Sequence, residues 1–226
     1  MLIGFLAFDD VTALDLVGPH EVLSRVPGAK CVVVAREASP IRAQNGLRLV
    51  ADHSFATCPQ LDLLCVPGGP GQEACMEDSE LLQFLRTQEE GARLVAGICT
   101  GSLILGAAGL LQGYRATTHW RYRECLRDLG ATPVRKRVVS DRNRITAAGV
   151  SAGIDMGLFL AALLAGEHVA QSIQLQLEYD PHPPFRAGTP EQVEPELLEE
   201  AEERTRVDFE RRWEQIRRIG KSLLAP

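Results

Sequence analysis

Leu94-Val95-Ala96-Gly97-Ile98-Cys99-Thr100-Gly101-Ser102 is an apolar strand that runs directly into a small-residue, apolar segment reaching Leu111. A strand that ends in Gly-x-Cys-x-Gly and turns at once into a helix makes an elbow. The side chain at the turn projects beyond the carboxyl edge of a parallel sheet, and the flanking glycines remove side chains that would collide there. Cys99 is therefore the candidate nucleophile. The start of the following helix places unpaired N–H groups and a positive dipole end beside the sulfur, an arrangement that favours thiolate. The competing interpretation is a buried, inert cysteine, the usual state of a free thiol.

Outward from the elbow, strands and helices alternate. Leu2–Phe8 and Cys31–Ala35 are strand-like runs around a helical stretch, Leu14–Val26, that stops before Pro27-Gly28. Ile41–Phe55 predicts a short hairpin about Asn45-Gly46. Leu61–Val66 predicts a buried strand, Ser79–Glu90 a helix halted at Gly91, Ala116–Thr118 a short strand, and Trp120–Leu129 a helix. Val134–Val139 and Arg144–Ala147 predict a second hairpin, and Ala152–Leu164 a second buried helix. This order predicts an α/β fold, a flavodoxin-like three-layer sandwich with a mostly parallel sheet and helices on both faces. Tyr179–Phe185 carries three prolines and must wrap a surface. From Glu191 onward, Val193, Leu197, Ala201, Phe209, Trp213 and Ile216 recur near helical spacing among many charges. The expected division is a catalytic domain over 1–190 and an amphipathic helical extension over 191–226, packed on that domain or on a second subunit.

The whole chain is compatible with this reading. It has 226 residues, 45% hydrophobic and 24% charged, which suits one packed domain. The formal charge of −6 comes without a dense basic stretch, so nucleic acid is not an expected partner. No apolar run approaches the ~20 residues of a membrane span, and the N-terminus lacks the flanks of a signal peptide, so a cytoplasmic protein without a membrane partner is expected. The six cysteines form no C-x-x-C pair and have no zinc-spaced histidine partner. Reduced thiols, no metal and no organic cofactor follow as expectations.

Addition of a thiolate leaves charge on the substrate that fixed donors must stabilise. Pro67-Gly68-Gly69-Pro70-Gly71 follows a strand that reaches the same sheet edge, and the amides of Gly69 and Thr100 are the candidate donors; alternatively the glycines only shape a turn. Asp15 follows the first strand and sits between Leu14 and Leu16. Partial desolvation would raise its pKa and suit it to general acid/base work; the alternative is a helix cap. His119, in Ala116-Thr117-Thr118-His119-Trp120, either orients the thiol or is a structural histidine.

Gly68-Gly69-Pro70-Gly71, Gly97-Ile98-Cys99-Thr100-Gly101, Ala116-Thr117-Thr118-His119-Trp120 and Ala152-Gly153-Ile154-Asp155 together resemble the ThiJ/PfpI superfamily, which shares its fold with class I glutamine amidotransferases. The run Ile173–Pro181, followed by Pro183-Pro184-Phe185 and Gly188, resembles the tail of its isocyanide hydratases. Thr100 stands where the proteolytic branch has histidine, and the glyoxalase and deglycase branch usually has glutamate at the position of Asp15. The resemblance implies that Cys99 attacks the terminal carbon of R–N≡C while Asp15 manages the proton. A thioimidate forms, water releases an N-substituted formamide, and no cofactor takes part. It further implies that Thr100 positions substrate or charge, that His119, Trp120 and Val150 border the pocket, and that the protein is a homodimer. AraC-type transcription regulators carry a related domain, so a ligand-binding or redox-sensing role for Cys99 is the non-enzymatic alternative.

Overall fold

Ile3 and Phe5 face one side of the central sheet and Leu6 the other, and this period of two repeats in the neighbouring strands. A chain so patterned must be covered on both faces. The computed structural model describes residues 1–223. In order, its elements are β1 (Leu2–Leu6), α1 (Ala13–Leu23), β2 (Lys30–Ala35), β3 (Pro40–Arg42), β4 (Arg48–Val50), β5 (His53–Ser54), β6 (Leu63–Val66), α2 (Gln72–Cys75), α3 (Ser79–Gly91), β7 (Leu94–Ile98) and α4 (Gly101–Ala107). Then come β8 (Arg115–Ala116), 3₁₀ turns over Trp120–Tyr122 and Glu124–Leu129, β9 (Thr132–Pro133), β10 (Val138–Asp141), β11 (Arg144–Ala147), α5 (Ala152–Ala165), α6 (Glu167–Gln176), α7 (Pro195–Arg204) and α8 (Arg206–Leu223).

The main sheet has the order β10-β11-β7-β6-β1-β2-β5. Its pairs are parallel except β10 with β11, which closes one edge as an antiparallel hairpin. Helices α1, α5 and α6 bury Leu16, Met156, Leu160 and Ile173 on one face. The other face receives Leu85 from α3, Leu103 and Ile104 from α4, and Ile216 from α8. Each such side chain contributes about 1.5–3 kcal/mol of burial. The direction of strand progression reverses beside β1, which has β2 on one side and β6 on the other. That reversal opens a crevice at the carboxyl ends of these strands, where α/β folds bind ligands. The loops after β1, β6 and β7 all empty into it.

Several local expectations need correction. The helix expected from Cys99 to Leu111 is only Gly101–Ala107, because Cys99 itself stands at φ 54° and Gly109 at φ 80°. The helix expected over Trp120–Leu129 is two 3₁₀ turns; its inward residues Tyr122, Cys125 and Leu129 include a spacing of three, which suits that tighter winding. The strand expected over Ala116–Thr118 is cut to Arg115–Ala116, which pairs with Thr132–Pro133 apart from the main sheet, while the Thr117 amide donates to the Thr146 hydroxyl and Thr118 turns toward the Cys99 elbow. The helix α6 has no counterpart in the sequence reading.

The tail helix is not continuous: α7 and α8 break at Thr205, whose hydroxyl donates to the carbonyls of Ala201 and Glu202 and so competes with helical bonding. Helix α8 lies on its own chain. Its Trp213 Nε1 donates to Asp128 at 2.8 Å, and a Cβ on Gly220 would stand 1.8 Å from the Asp128 carbonyl oxygen.

Candidate active site

Cys99 is held at the elbow by bonds on both sides. Its amide donates to the Ala147 carbonyl of β11 at 3.1 Å, and the Thr118 hydroxyl donates to its carbonyl at 2.6 Å. These bonds keep a non-glycine residue in left-handed backbone at a cost of about 1–3 kcal/mol. The glycine two residues on is required by close approach: a Cβ on Gly101 would stand 2.0 Å from the Val66 carbonyl oxygen of β6. The thiol is nearly enclosed, with 4% of the residue exposed.

Asp15 is the third residue of α1 and fully buried. It is no helix cap. Its Oδ2 accepts a 2.9 Å hydrogen bond from the amide of Gly68, in the loop after β6, and its Oδ1 has no partner of good geometry. Burial raises the carboxyl from 3.8 to about 7, against the opposing pull of the Gly68 amide and of the Cys99 thiol beside it. Burial and the negative charge of Asp15 push the Cys99 thiol well above its ordinary value, while the amide and hydroxyl of Thr100 pull it down. A thiolate set by the helix start is thus corrected: α4 is only seven residues long, and burial together with a facing carboxyl outweighs it. Ionisation of the pair through about pH 7 removes one proton and leaves the other with the two groups.

The loop amides are already engaged. Gly68 N–H serves Asp15, and Gly69 N–H donates to Thr100 Oγ1 at 3.0 Å, so Gly69 offers no open donor to a substrate as expected from the sequence. Its bond instead fixes the Thr100 hydroxyl beside the sulfur. His119 makes no hydrogen bond to Cys99. Its Nδ1 accepts from the Arg121 amide at 3.3 Å, capping the first 3₁₀ turn, and burial lowers it to about 4, which keeps the ring neutral.

His119, Trp120 and Val150 line a cleft of about 530 Å³ together with Leu14 and Thr118. Cys99 and Asp15 are not among its lining residues, but two of their neighbours are. Thr118 holds the Cys99 carbonyl and Leu14 precedes Asp15, so the cleft abuts the pair. Sequence reasoning missed two contributors. Thr118 stood in a quoted segment without a role, and Gly68 was passed over for Gly69, because nothing in sequence says which amide of a glycine loop meets a side chain 53 positions away. Among the described residues no cluster of three or more histidine, cysteine or acidic side chains is arranged to hold a metal ion.

A thiol mounted on an elbow and opposed by a buried carboxyl places the chain among α/β proteins with a cysteine at the sheet's carboxyl edge. Residues 1–163 match the DJ-1/PfpI family, and the chain belongs to that family. It is 47% identical over 221 residues to the isonitrile (isocyanide) hydratase of Pseudomonas putida, a match that spans 98% of this chain and 97% of that protein. A crystal structure of a ThiJ/PfpI family protein from Pseudomonas syringae superposes with a TM-score of 0.93 at 41% identity, covering 96% of this chain and 90% of the other. The HTH-type transcriptional regulator GbdR of Pseudomonas aeruginosa is 31% identical over 189 residues, which take up 79% of this chain but only 50% of the regulator.

Proposed function

We propose that this chain is an isocyanide hydratase that converts R–N≡C and water to an N-substituted formamide. The observation that carries the reading is the fully buried Asp15 carboxyl, fixed by the Gly68 amide beside the elbow thiol of Cys99, because an isocyanide carbon must receive both a nucleophile and a proton. The near full-length similarity to a hydratase supports it. Asp15 takes the thiol proton as the sulfur attacks the terminal carbon, then delivers that proton to the same carbon, giving a thioimidate, R–N=CH–S–Cys99. Water adds across the C=N bond to give R–NH–CH(OH)–S–Cys99. As this adduct collapses, Asp15 takes its hydroxyl proton, the C–S bond breaks, R–NH–CHO is released, and Asp15 returns that proton to the departing sulfur. The two-step route replaces one difficult addition of water by two easier steps. The amide and hydroxyl of Thr100 hold the sulfur and its negative charge.

The sensor alternative fits less well. An oxidation sensor needs an exposed, low-pKa thiol, whereas Cys99 is enclosed and its thiol is pushed up. The chain works as a catalytic domain over 1–190 with a helical extension over 191–226, the last three residues of which lie outside the described residues. Exposed Leu14 and Val17 on α1, with Phe159 and Leu163 on the adjacent α5, offer apolar surface for a homodimer. No described helix is long and apolar enough to cross a membrane, and the six unpaired cysteines suit the reducing cytoplasm, where we place the protein.

The test is formation of the formamide from an alkyl or aryl isocyanide by reduced protein, with Cys99→Ala and Asp15→Asn alongside. Turnover that vanishes in Cys99→Ala and drops in Asp15→Asn is the expected result. No turnover of several isocyanides by intact protein would overturn the reading and favour a glyoxalase-like activity.

A further inference from the structure

The cleft beside the Asp15–Cys99 pair carries Arg123, Arg135, Lys136 and Arg137, yet only one carboxylate, Glu191, among its lining residues. Arg135 is neutralised by Glu191 at 2.6 Å, and Arg137 by Asp155, whose helix lies next to the cleft. Arg123 and Lys136 form no ion pair among the described residues. A chain with a formal charge of −6 repels anions in general, so two unneutralised cations on the wall of one cleft create a local exception. The bare isocyano group has no use for them. The opposite requirement, an apolar surface for the body of a small molecule, is met in the same cleft by Leu14, Trp120 and Val150.

We infer that the preferred substrate is an isocyanide whose R group bears a carboxylate, seated on Arg123 and Lys136 while the isocyano carbon reaches Cys99. The guanidinium of Arg123 offers the planar pair of donors that a carboxylate accepts, and Lys136 adds a point charge beside it. This inference rests on the isocyanide hydratase reading and names the substrate class of that site.

The test compares 4-isocyanobenzoate with its uncharged methyl ester, and with cyclohexyl isocyanide as a control, by kcat/KM for formamide formation. The anion is favoured over the ester by about tenfold or more at low ionic strength, and added salt erodes the preference. Arg123→Gln and Lys136→Gln each lower the anion-to-ester ratio several-fold, whereas Glu191→Gln, which releases Arg135, raises it. An anion-to-ester ratio of one or less, or a ratio unmoved by these substitutions, overturns the inference while turnover of the ester or the control leaves the hydratase reading standing. Failure of all three compounds with reduced protein removes both.

Discussion

The carboxyl of Asp15 and the thiol of Cys99 lie beside each other at the sheet edge: the charge of Asp15 makes the thiol harder to ionise, whereas the thiol eases ionisation of the carboxyl, which burial alone holds up. With the carboxyl raised to about 7 and the thiol well above its ordinary range, the reactive form of the pair has lost one proton and kept the other. The kcat/KM profile is therefore expected to rise with pH through about 7 and to fall only on the alkaline side. Residual turnover by Asp15→Asn should lack the limb near 7; a rise centred near 4 in the unsubstituted protein would contradict the pairing.

The same group links stability to pH. Folded protein holds the Asp15 proton up to about pH 7, and unfolded chain releases it near 3.8. The stabilisation is fully present below about pH 4 and is lost as pH rises to about 7, beyond which it stays level. Urea unfolding of the protein against Asp15→Asn should show the difference drift by on the order of 2–4 kcal/mol across that window.

Cys99 stands in left-handed backbone at φ 54°, a conformation that glycine enters without steric cost. Both Cys99→Ala and Cys99→Gly are expected to abolish turnover, but Cys99→Gly should be about 1 kcal/mol more stable than Cys99→Ala in chemical denaturation. Equal stabilities, or a less stable glycine variant, would mean that the elbow holds no strain.

Thr118 donates its hydroxyl to the carbonyl of Cys99 at 2.6 Å. Thr118→Val keeps the shape and removes the donor, leaving that buried carbonyl without this bond. Stability should fall by about 1–3 kcal/mol, and kcat should drop more than KM rises, since valine keeps the shape of the cleft wall at this position while the elbow loses a bond. An unchanged kcat would show that the elbow keeps its geometry without Thr118.

Gly220 allows α8 to approach the Asp128 carbonyl, to which an added methyl would come within 1.8 Å. Gly220→Ala should destabilise the protein by about 1–3 kcal/mol through displacement of α8, despite the better helix propensity of alanine. Circular dichroism melting distinguishes this from the slight stabilisation expected of an undocked helix.

The alternating order of elements was legible because buried strands and covering helices impose different periods on the same apolar residues. Leu94–Ile98 matches its expected span end to end, and the Gly-x-Cys-x-Gly elbow follows from it. Local backbone chemistry was harder to see. Thr205 breaks the tail helix with a hydroxyl that bonds backward, a choice that threonine does not announce in sequence. The role of His119 stayed open for a similar reason: a histidine beside a strand end reads alike whether its ring faces the thiol or caps the Arg121 amide.

Sequence alone determined the layered α/β architecture and the identity of the cysteine at its edge, because strand-to-helix turns and apolar periodicity are local properties. Only the tertiary structure decided what that cysteine meets. Asp15 comes from the helix after β1, Gly68 from the loop after β6 and Thr118 from the loop after β8, and their contacts with one another or with the elbow depend on strand order and register. Burial by the assembled core, which no single segment contains, is what moves the Asp15 carboxyl to about 7 and makes it a partner for the thiol.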